Sequence, residues 1–446
     1  MVRPSAAIAD VSMVDAMPMT AVATPRWLAT VLARADHIDD WLAPQRRQAL
    51  AALRNSPWPT QRTEAWKYTP VRVLDAIDLT GESANSAIAV EQIGDLDCID
   101  LVFVNGRFDA SRSTQNIASG LTITTLQNAT AEARQRVSEL FGKIKPRRHI
   151  FGLVNDVLAS DGVLIDVEAG IELVQPIRIL HLFNGGVESH ARVLVQLGQA
   201  AKACVIEQAS GSDLNINTVF SEFAVGERAQ LEHYRFALQG GDAVSIGGSH
   251  FQLSEQAELH STMVGFGSEL SRLDADVIHR GERAEALLNA IYLLDQNELF
   301  DLHTNIEHVA ANCITQENVR GIAGGQARAV FNGRIHIHPG AQRTQAELNN
   351  RNLLVSDRAE VNTKPELEIY ADDVRCAHGA TVAQIDSKAL YYLRSRGIGE
   401  AEARAMLNFA FINTLVDQIS NTQVAAWLRP QLQRRFATMC ASPREE

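Results

Sequence analysis

The hydrophobic pattern changes period twice along the chain. From residue 25 to about 56, apolar residues recur at helical spacing. Trp27, Leu28, Val31 and Leu32 form one face, Trp41, Leu42, Leu50 and Leu53 form another, and Pro57 and Pro59 close the segment. The run Cys98 to Val104 then meets the turn pair Asn105-Gly106 and predicts a strand. Two more helical patterns cover Ala131 to Ile144 and Arg148 to Leu158. The second is striped by Ile150, Phe151, Val154, Val157 and Leu158, and Ser160-Asp161-Gly162 stops it.

After Gly162 the period falls to two and stays there to Ile385, in β-branched runs with few prolines. Helical spacing then returns. Asp386 or Ser387 can N-cap a short helix that Gly397 closes, a second helix runs from about Glu400 to Ile419, and a third from about Thr422 to Ala437. Met406, Leu407, Ala410, Phe411, Thr414 and Leu415 give the second helix a broad apolar stripe. The expected division is a loose tail over 1–24, a mainly helical region over 25–160, a β core over 161–385 and a helical region over 386–446.

The β core repeats. A small or turn residue followed three positions later by Ala recurs at Gly198/Ala201, Gly226/Ala229, Ser254/Ala257, Gly281/Ala284, His308/Ala311, Gly324/Ala327 and Ser356/Ala359, with Gly340/Arg343 as an imperfect member. The unit starts are spaced 28, 28, 27, 27, 16, 16 and 16. A fixed return distance stacks equivalent residues, so this predicts a β-solenoid with these alanines inward in neighbouring rungs. A sandwich of antiparallel sheets is the rival; the single phase of the repeat and the lack of long crossing loops disfavour it.

Length and charge narrow the class. At 446 residues the chain can bury more than one core, and a net charge of -12 repels nucleic-acid backbones and membrane surfaces alike. Five cysteines, Cys98, Cys204, Cys313, Cys376 and Cys440, make an odd set without a C-x-x-C pair, which argues for a reducing compartment rather than a disulfide framework. No apolar run approaches a membrane span, and the first 24 residues lack a basic stretch followed by an apolar one, so a cytoplasmic location is expected. A phosphate loop of the G-x-x-x-x-G-K-[ST] type is missing, and Gly324-Gly325 has no following lysine. No nucleotide site is therefore expected in this chain.

Candidate chemistry concentrates at Cys376 and His378. In most repeats the third and fifth positions are small or apolar and in nearly every one the fourth is polar, so odd offsets read as inward. A unit starting at Asp372 puts Cys376 and His378 at even offsets, on one outward face. A thiolate and an imidazole suit iron, zinc or the edge of a cluster, but two ligands cannot complete a tetrahedral site; the rest would come from a second chain. Asp372 and Asp373 add carboxylates that a turn explains equally well. His336 and His338 form a second same-face pair, with His303 and His308 as a looser group, and none has a cysteine or carboxylate at ligand spacing. Cys313 reads as core.

Several motifs of the late core resemble the SufB/SufD family of iron-sulphur cluster assembly proteins. They are Asn332-Gly333, Ala341-Gln342-Arg343-Thr344, Asn352-Leu353-Leu354, Pro365-Glu366-Leu367-Glu368-Ile369, Ala371-Asp372-Asp373-Val374, Cys376-Ala377-His378-Gly379-Ala380-Thr381 and Tyr392-Leu393-Arg394-Ser395-Arg396-Gly397-Ile398. Upstream, Glu64-Ala65-Trp66-Lys67-Tyr68-Thr69 is similar to the family's N-terminal element, whose bland reading is that Trp66 and Tyr68 pack one domain onto the next.

The resemblance implies a right-handed parallel β-helix and a non-catalytic scaffold. It implies pairing with a SufB-like paralogue through the late β-helix strands and docking of a SufC-like ATPase through the C-terminal helices, with a homodimer when the chain is alone. It also implies an iron-sulphur cluster or iron held transiently, with Cys376 and His378 contributing to a site shared with the SufB-like partner. Leu393 stands where a SufB-like chain would carry its sulphur-accepting cysteine. A SufB-like paralogue scaffold and a secreted-type β-helix enzyme acting on polysaccharide remain as alternatives; the latter would need clustered acidic or basic residues on an exposed sheet.

Overall fold

The N-terminal apolar stripes become helices that close over each other. In the computed structural model, which describes residues 24–77, 79 and 92–441, α1 (Arg26–Ala35) buries Trp27, Leu28, Val31 and Ala35. α2 (Ala43–Asn55) carries Pro44 in its first turn, where a missing N–H leaves no bond unmade, and α3 (Val73–Ala76) is one turn long. The tail expected over 1–24 lies outside the described residues except for Thr24.

β1 (Ile99–Val104) and β2 (Arg107–Phe108) form the hairpin that Asn105-Gly106 predicts, with φ of 48° and 76° at the turn. β3 (Leu121–Thr125) has no counterpart in the sequence reading. α4 (Ala131–Leu140) is N-capped by Thr130 and stops four residues before the expected Ile144. The cause is tertiary: the N–H groups of Gly142, Ile144 and Lys145 turn onto the Glu222 carboxylate at 2.7, 2.8 and 2.9 Å. α5 (Ile150–Leu158) is buried on every side, not only along its apolar stripe.

Sixteen strands follow. They are β4 (Asp161–Val167), β5 (Ile177–Leu182), β6 (Val187–Leu197), β7 (Lys202–Ser210), β8 (Asn215–Val225), β9 (Gln230–Ala237), β10 (Ala243–Leu253) and β11 (Glu258–Gly265), then β12 (Leu270–His279), β13 (Glu285–Leu294), β14 (Leu299–His308), β15 (Ile314–Ala323), β16 (Arg328–Ile337), β17 (Gln345–Leu354), β18 (Glu360–Ile369) and β19 (Arg375–Ala383). Odd-numbered strands from β5 to β19 stack in parallel into one sheet, continued by β1 and β2; even-numbered strands from β4 to β18 stack in parallel into a second, continued by β3. Each turn contributes one strand to each sheet. The result is a β-solenoid of about eight turns, as the repeat predicts.

The phase of the repeat is only partly as expected. Ala201, Ala229, Ala257 and Ala284 stack inward in one column, each following a residue with φ between 55° and 58°: Ala200, Arg228, Gln256 and Arg283. The next left-handed residue at this corner is Asn312, so the column continues through Cys313 and not Ala311, which is only half-buried. Ala327 and Ala359 enter the opposite sheet, ahead of β16 and β18. The 16-residue spacings are thus half-turns, whereas a full turn is 27 residues between the partners Glu258 and Glu285 and 31 between Ile314 and Gln345.

Both outer faces of the middle turns are covered. The N-terminal helices pack Trp27, Trp66 and Phe151 against Ile216, Phe220, Val244 and Leu270 of the even-numbered sheet. α7 (Glu400–Val416) and α8 (Thr422–Ala441) pack Ile412, Leu415, Val424 and Leu428 against Tyr234, Phe236, Val264 and Ile291 of the odd-numbered sheet. Strands buried on both sides read as continuous apolar runs. The late strands lose this cover and alternate instead, as in β16 and β17.

α6 (Ser387–Ser395), N-capped by Asp386, has no buried residue. On α7 the buried residues are Ala403, Asn408, Ile412, Leu415 and Val416; of the expected stripe, Met406, Ala410 and Thr414 face solvent. No helix among the described residues is long and apolar enough to cross a membrane.

Candidate functional site

Among the described residues nothing caps the last turn of the solenoid. β18 and β19 are the terminal strands of their sheets, so each presents a free backbone edge, and even their inward side chains are half-buried or exposed. Ile369, Tyr370 and Val382 stand exposed there, Tyr370 at 60%.

Cys376 and His378 do share a face, but it is the inner one. Cys376 is the register partner of Ala346 and His378 that of Leu348, and both partners are fully buried core residues. The outward placement expected from the sequence fails because the Asp372 start miscounts the unit: Val374 heads the inner column that Thr344 and Cys313 occupy below it. Cys376 packs against the interior core and stays half-buried, while His378 is exposed because no further turn covers it. Burial pushes the Cys376 thiol up, opposed by the Ala346 backbone. Two residues along a strand span about 6.6 Å, so both groups reach one ligand only from the open end. Asp372 and Asp373 are exposed at the corner entering β19, and the Asp373 carbonyl accepts the Arg343 N–H at 2.5 Å.

His336 and His338 lie side by side on the outer face of β16, with ring centroids 4.4 Å apart. His336 Nδ1 meets Glu368 at 2.9 Å beside the Arg334–Glu368 ion pair, and His338 lies 3.8 Å from Glu307. Carboxylates from neighbouring strands, invisible at sequence spacing, thus bond His336 and lie near His338, whose Nε2 has no hydrogen-bond partner among the described residues.

Two groups of three ligand-type side chains come within 4.8 Å of one another among the described residues: His279, His308 and Cys313, and His149, His250 and Asp276. Neither includes Cys376 or His378. His149 and Asp276 of the second group line a cleft of about 310 Å³ between residues 63–66 and the even-numbered sheet, and His250 lies behind them, hydrogen-bonded to Asp276 at 2.7 Å. Burial pulls His149 down, but Asp276 and Asp274 overcome it and hold its pKa above the ordinary value. Arg272 stacks 3.9 Å over the Trp66 ring and donates to the Ala65 carbonyl at 2.6 Å, while Thr69 donates to Asp301 at 2.6 Å. Trp66 is therefore an anchor as expected. Tyr68 is not: it is exposed, with the Lys67 ammonium 5.0 Å from its ring. Of the remaining cysteines, Cys98 and Cys204 are half-buried thiols raised by burial, and Cys440 lies where side chains are outside the described residues.

Residues 32–179 match the SufBD protein N-terminal region, and residues 181–411 match the SUF system FeS cluster assembly, SufBD core domain. The iron-sulfur cluster assembly protein SufD of Escherichia coli is 31% identical over 397 residues, covering 84% of this chain and 89% of SufD. An iron-sulfur cluster assembly SufBD family protein of Synechocystis is 30% identical over 410 residues, covering 88% of this chain and 90% of its own. The SufB protein of Bacillus subtilis is 21% identical over 367 residues, covering 81% and 78%.

Proposed function

The chain belongs to the SufBD family of the Suf iron-sulphur cluster assembly system, and from that membership we propose that it is the SufD-like, non-catalytic scaffold subunit of a SufB–SufC–SufD-type complex in the cytoplasm. The observation that carries this reading is the uncapped last turn. Free strand edges on β18 and β19 invite pairing with another chain, because unpaired backbone N–H and C=O groups at an edge are a template for a further strand. A SufB-like partner seated there would cover Cys376 and His378 and supply the ligands they lack. Alone, the same edges would pair with a second copy. The nascent cluster is cargo: Cys376 supplies a thiolate and His378 an imidazole to part of its site.

The SufC-like ATPase docks on α6 and the exposed side of α7. Supporting this, Tyr391 is 75% exposed, Tyr392 56% and Met406 47%, apolar surface that no part of the described chain covers. A right-handed winding belongs to the same proposal, since parallel strands joined by a crossover are right-handed in about 98% of cases; a left-handed electron-density trace would refute it. So does the division into units at about 24, 160 and 385.

The test is to co-express the chain with its SufB-like and SufC-like partners and measure cluster content alongside complex recovery. Cys376→Ser and His378→Ala should leave recovery intact while cluster content falls, the thiolate mattering more. Wild-type cluster levels in both variants would remove the site assignment; loss of the complex would make the residues structural. For the ATPase contact, truncation after Ile385 would strip α8 from Phe236 and Ile291 and expose core. The exposed variants Tyr391→Asp and Met406→Asp are cleaner, and should abolish ATPase co-purification with the β structure unchanged. Retained ATPase in both would place the docking surface elsewhere.

A further inference from the structure

Inside the solenoid, away from the open end, the structure gathers donors that the cluster site does not use. His279 ends β12 and His308 ends β14, and the two are register partners on adjacent strands. Their rings stack with centroids 4.3 Å apart and planes 8° from parallel. Cys313 sits at the next corner, one residue before β15, so the group spans the passage from one sheet to the other. All three side chains are fully buried.

An ordinary explanation, two core histidines satisfied by their surroundings, accounts for half of the ring nitrogens. Thr315 Oγ1 faces His279 Nε2 at 3.0 Å and His308 Nε2 at 3.1 Å, so the one hydroxyl serves both rings. The Nδ1 of each ring has no hydrogen-bond partner among the described residues, and the Ala284 backbone faces the His279 ring without closing a bond to Nδ1. Cys313 Sγ meets only the carbonyls of Gly281 at 3.4 Å and Ala311 at 3.5 Å, weak contacts for a thiol. Buried polar atoms are normally paired, and two orphaned ring nitrogens beside a weakly held thiol at one corner call for an occupant.

The donor set defines that occupant. A metal takes each imidazole in its neutral form, and the full burial of both rings favours that form. Two imidazoles and a thiol suit a borderline divalent ion and not a hard one such as Mg²⁺. One ring nitrogen of each histidine and Cys313 Sγ lie within 4.8 Å of one another, and a tetrahedral zinc site would bring them to about 3.5 Å, a closure that side-chain rotation supplies.

We propose that His279, His308 and Cys313 hold a borderline divalent metal ion, Zn²⁺ or Fe²⁺, that staples two successive turns of the solenoid at this corner. On binding, the Cys313 S–H bond breaks, the proton leaves to solvent and the thiolate sulphur donates its pair to the metal, with no change of oxidation state. The fourth position falls to water, since the Thr315 hydroxyl is held on the Nε2 side of both rings. The proposal does not rest on the Cys376–His378 reading: Thr315, Ala346 and Cys376 are successive register partners, so the two sites lie two strand spacings apart, about 10 Å.

Because the corner is closed to solvent, metal has to be supplied as the chain folds. Full-length protein expressed in cobalt-supplemented medium is the probe, since Co²⁺ reports a thiolate ligand by sulphur-to-metal charge transfer and four-coordination by intense d–d absorption. A Cys376→Ser/His378→Ala background removes the open-end residues and should retain about one Co²⁺ per chain with both features. Adding Cys313→Ala, which places at this corner the residue found at Ala284 and Ala257 and so preserves the packing, should abolish the charge-transfer band. His308→Gln should lose the d–d intensity. Zn²⁺ supplied in place of Co²⁺ should raise the thermal midpoint of the background chain and leave the Cys313→Ala chain unmoved. Charge transfer that persists in Cys313→Ala, or no bound cobalt in the background chain, overturns the site.

Discussion

Replacing Arg192 by Met is expected to cost the chain about 3–5 kcal/mol, because it leaves buried carboxylates without their counter-charge. Arg192 is fully buried on the outer face of β6, where its Nε donates to Asn155 at 2.9 Å, one terminal nitrogen donates to Glu222 at 2.8 Å and the other pairs with Asp156. Lys145 completes the network on Asp156 at 3.0 Å. With Arg192 present, two cations face two carboxylates; without it, the Lys145 ammonium still meets Asp156 but Glu222 loses the cation it pairs with. Asp156 and Asn155 belong to α5, and Glu222 holds the loop before it, so the substitution should release the N-terminal helices first. Trp27, Trp58 and Trp66 all pack on Phe151 with centroids 5.2 to 5.8 Å away, which makes tryptophan fluorescence the readout. In denaturant the fluorescence transition should move ahead of the β-sheet circular dichroism. Arg192→Lys keeps the charge but not the planar set of donors, and should recover only part of the loss. A shift below about 1 kcal/mol in Arg192→Met would show that the network does not hold the helices.

The second large effect depends on pH. Glu317 points into the solenoid from β15, fully buried, with neither carboxyl oxygen hydrogen-bonded among the described residues. Burial, opposed by the nearby Thr304 hydroxyl, raises it from 4.5 to about 7. Between those values the folded chain binds more protons than the unfolded one, so the contribution of Glu317 is intact below about pH 4.5 and is lost as pH rises through 7. The loss approaches about 3 kcal/mol at pH 8. Glu317→Gln, which mimics the protonated acid, should therefore match the parent at pH 5 and exceed it at pH 8. Groups titrating in both proteins cancel in the difference. If the two stability curves run parallel from pH 5 to 8, Glu317 is not buried in the charged form's disfavour.

Much of the architecture was legible because it is written in local periodicity. The change of period at Gly162 and again after Ile385 marks where the wound strands β4 to β19 begin and end, and Asn105-Gly106 and Asp386 behave as their local chemistry requires. The early alanine column was legible too, since corners at Arg228, Gln256 and Arg283 recur at nearly constant distance and only a small side chain fits inside them. The column was lost at Ala311, where a wider turn shifts the phase by two residues and Cys313 takes the small-residue place. The reversal of Cys376 and His378 came later: unit starts at Gly340 and Asp372 put Arg343 and Arg375 in the inner column, one residue away from the Thr344 and Val374 that occupy it, and a one-residue slip exchanges the two faces.

By itself the sequence determined most of the elements, the existence of the repeat and the pairing of Cys376 with His378 on one face, because each depends on residues a few positions apart. Which face that is, and that it lies at an open end, depends on the accumulated register of the turns below, a sum over uneven lengths that no local pattern preserves. The same holds for His279, His308 and Cys313. Separated by 29 residues, about one turn, the two histidines become neighbours only when parallel strands stack in register. Their proximity is a property of the wound chain, since parallel pairing brings residues one turn apart to a single strand spacing of about 4.8 Å.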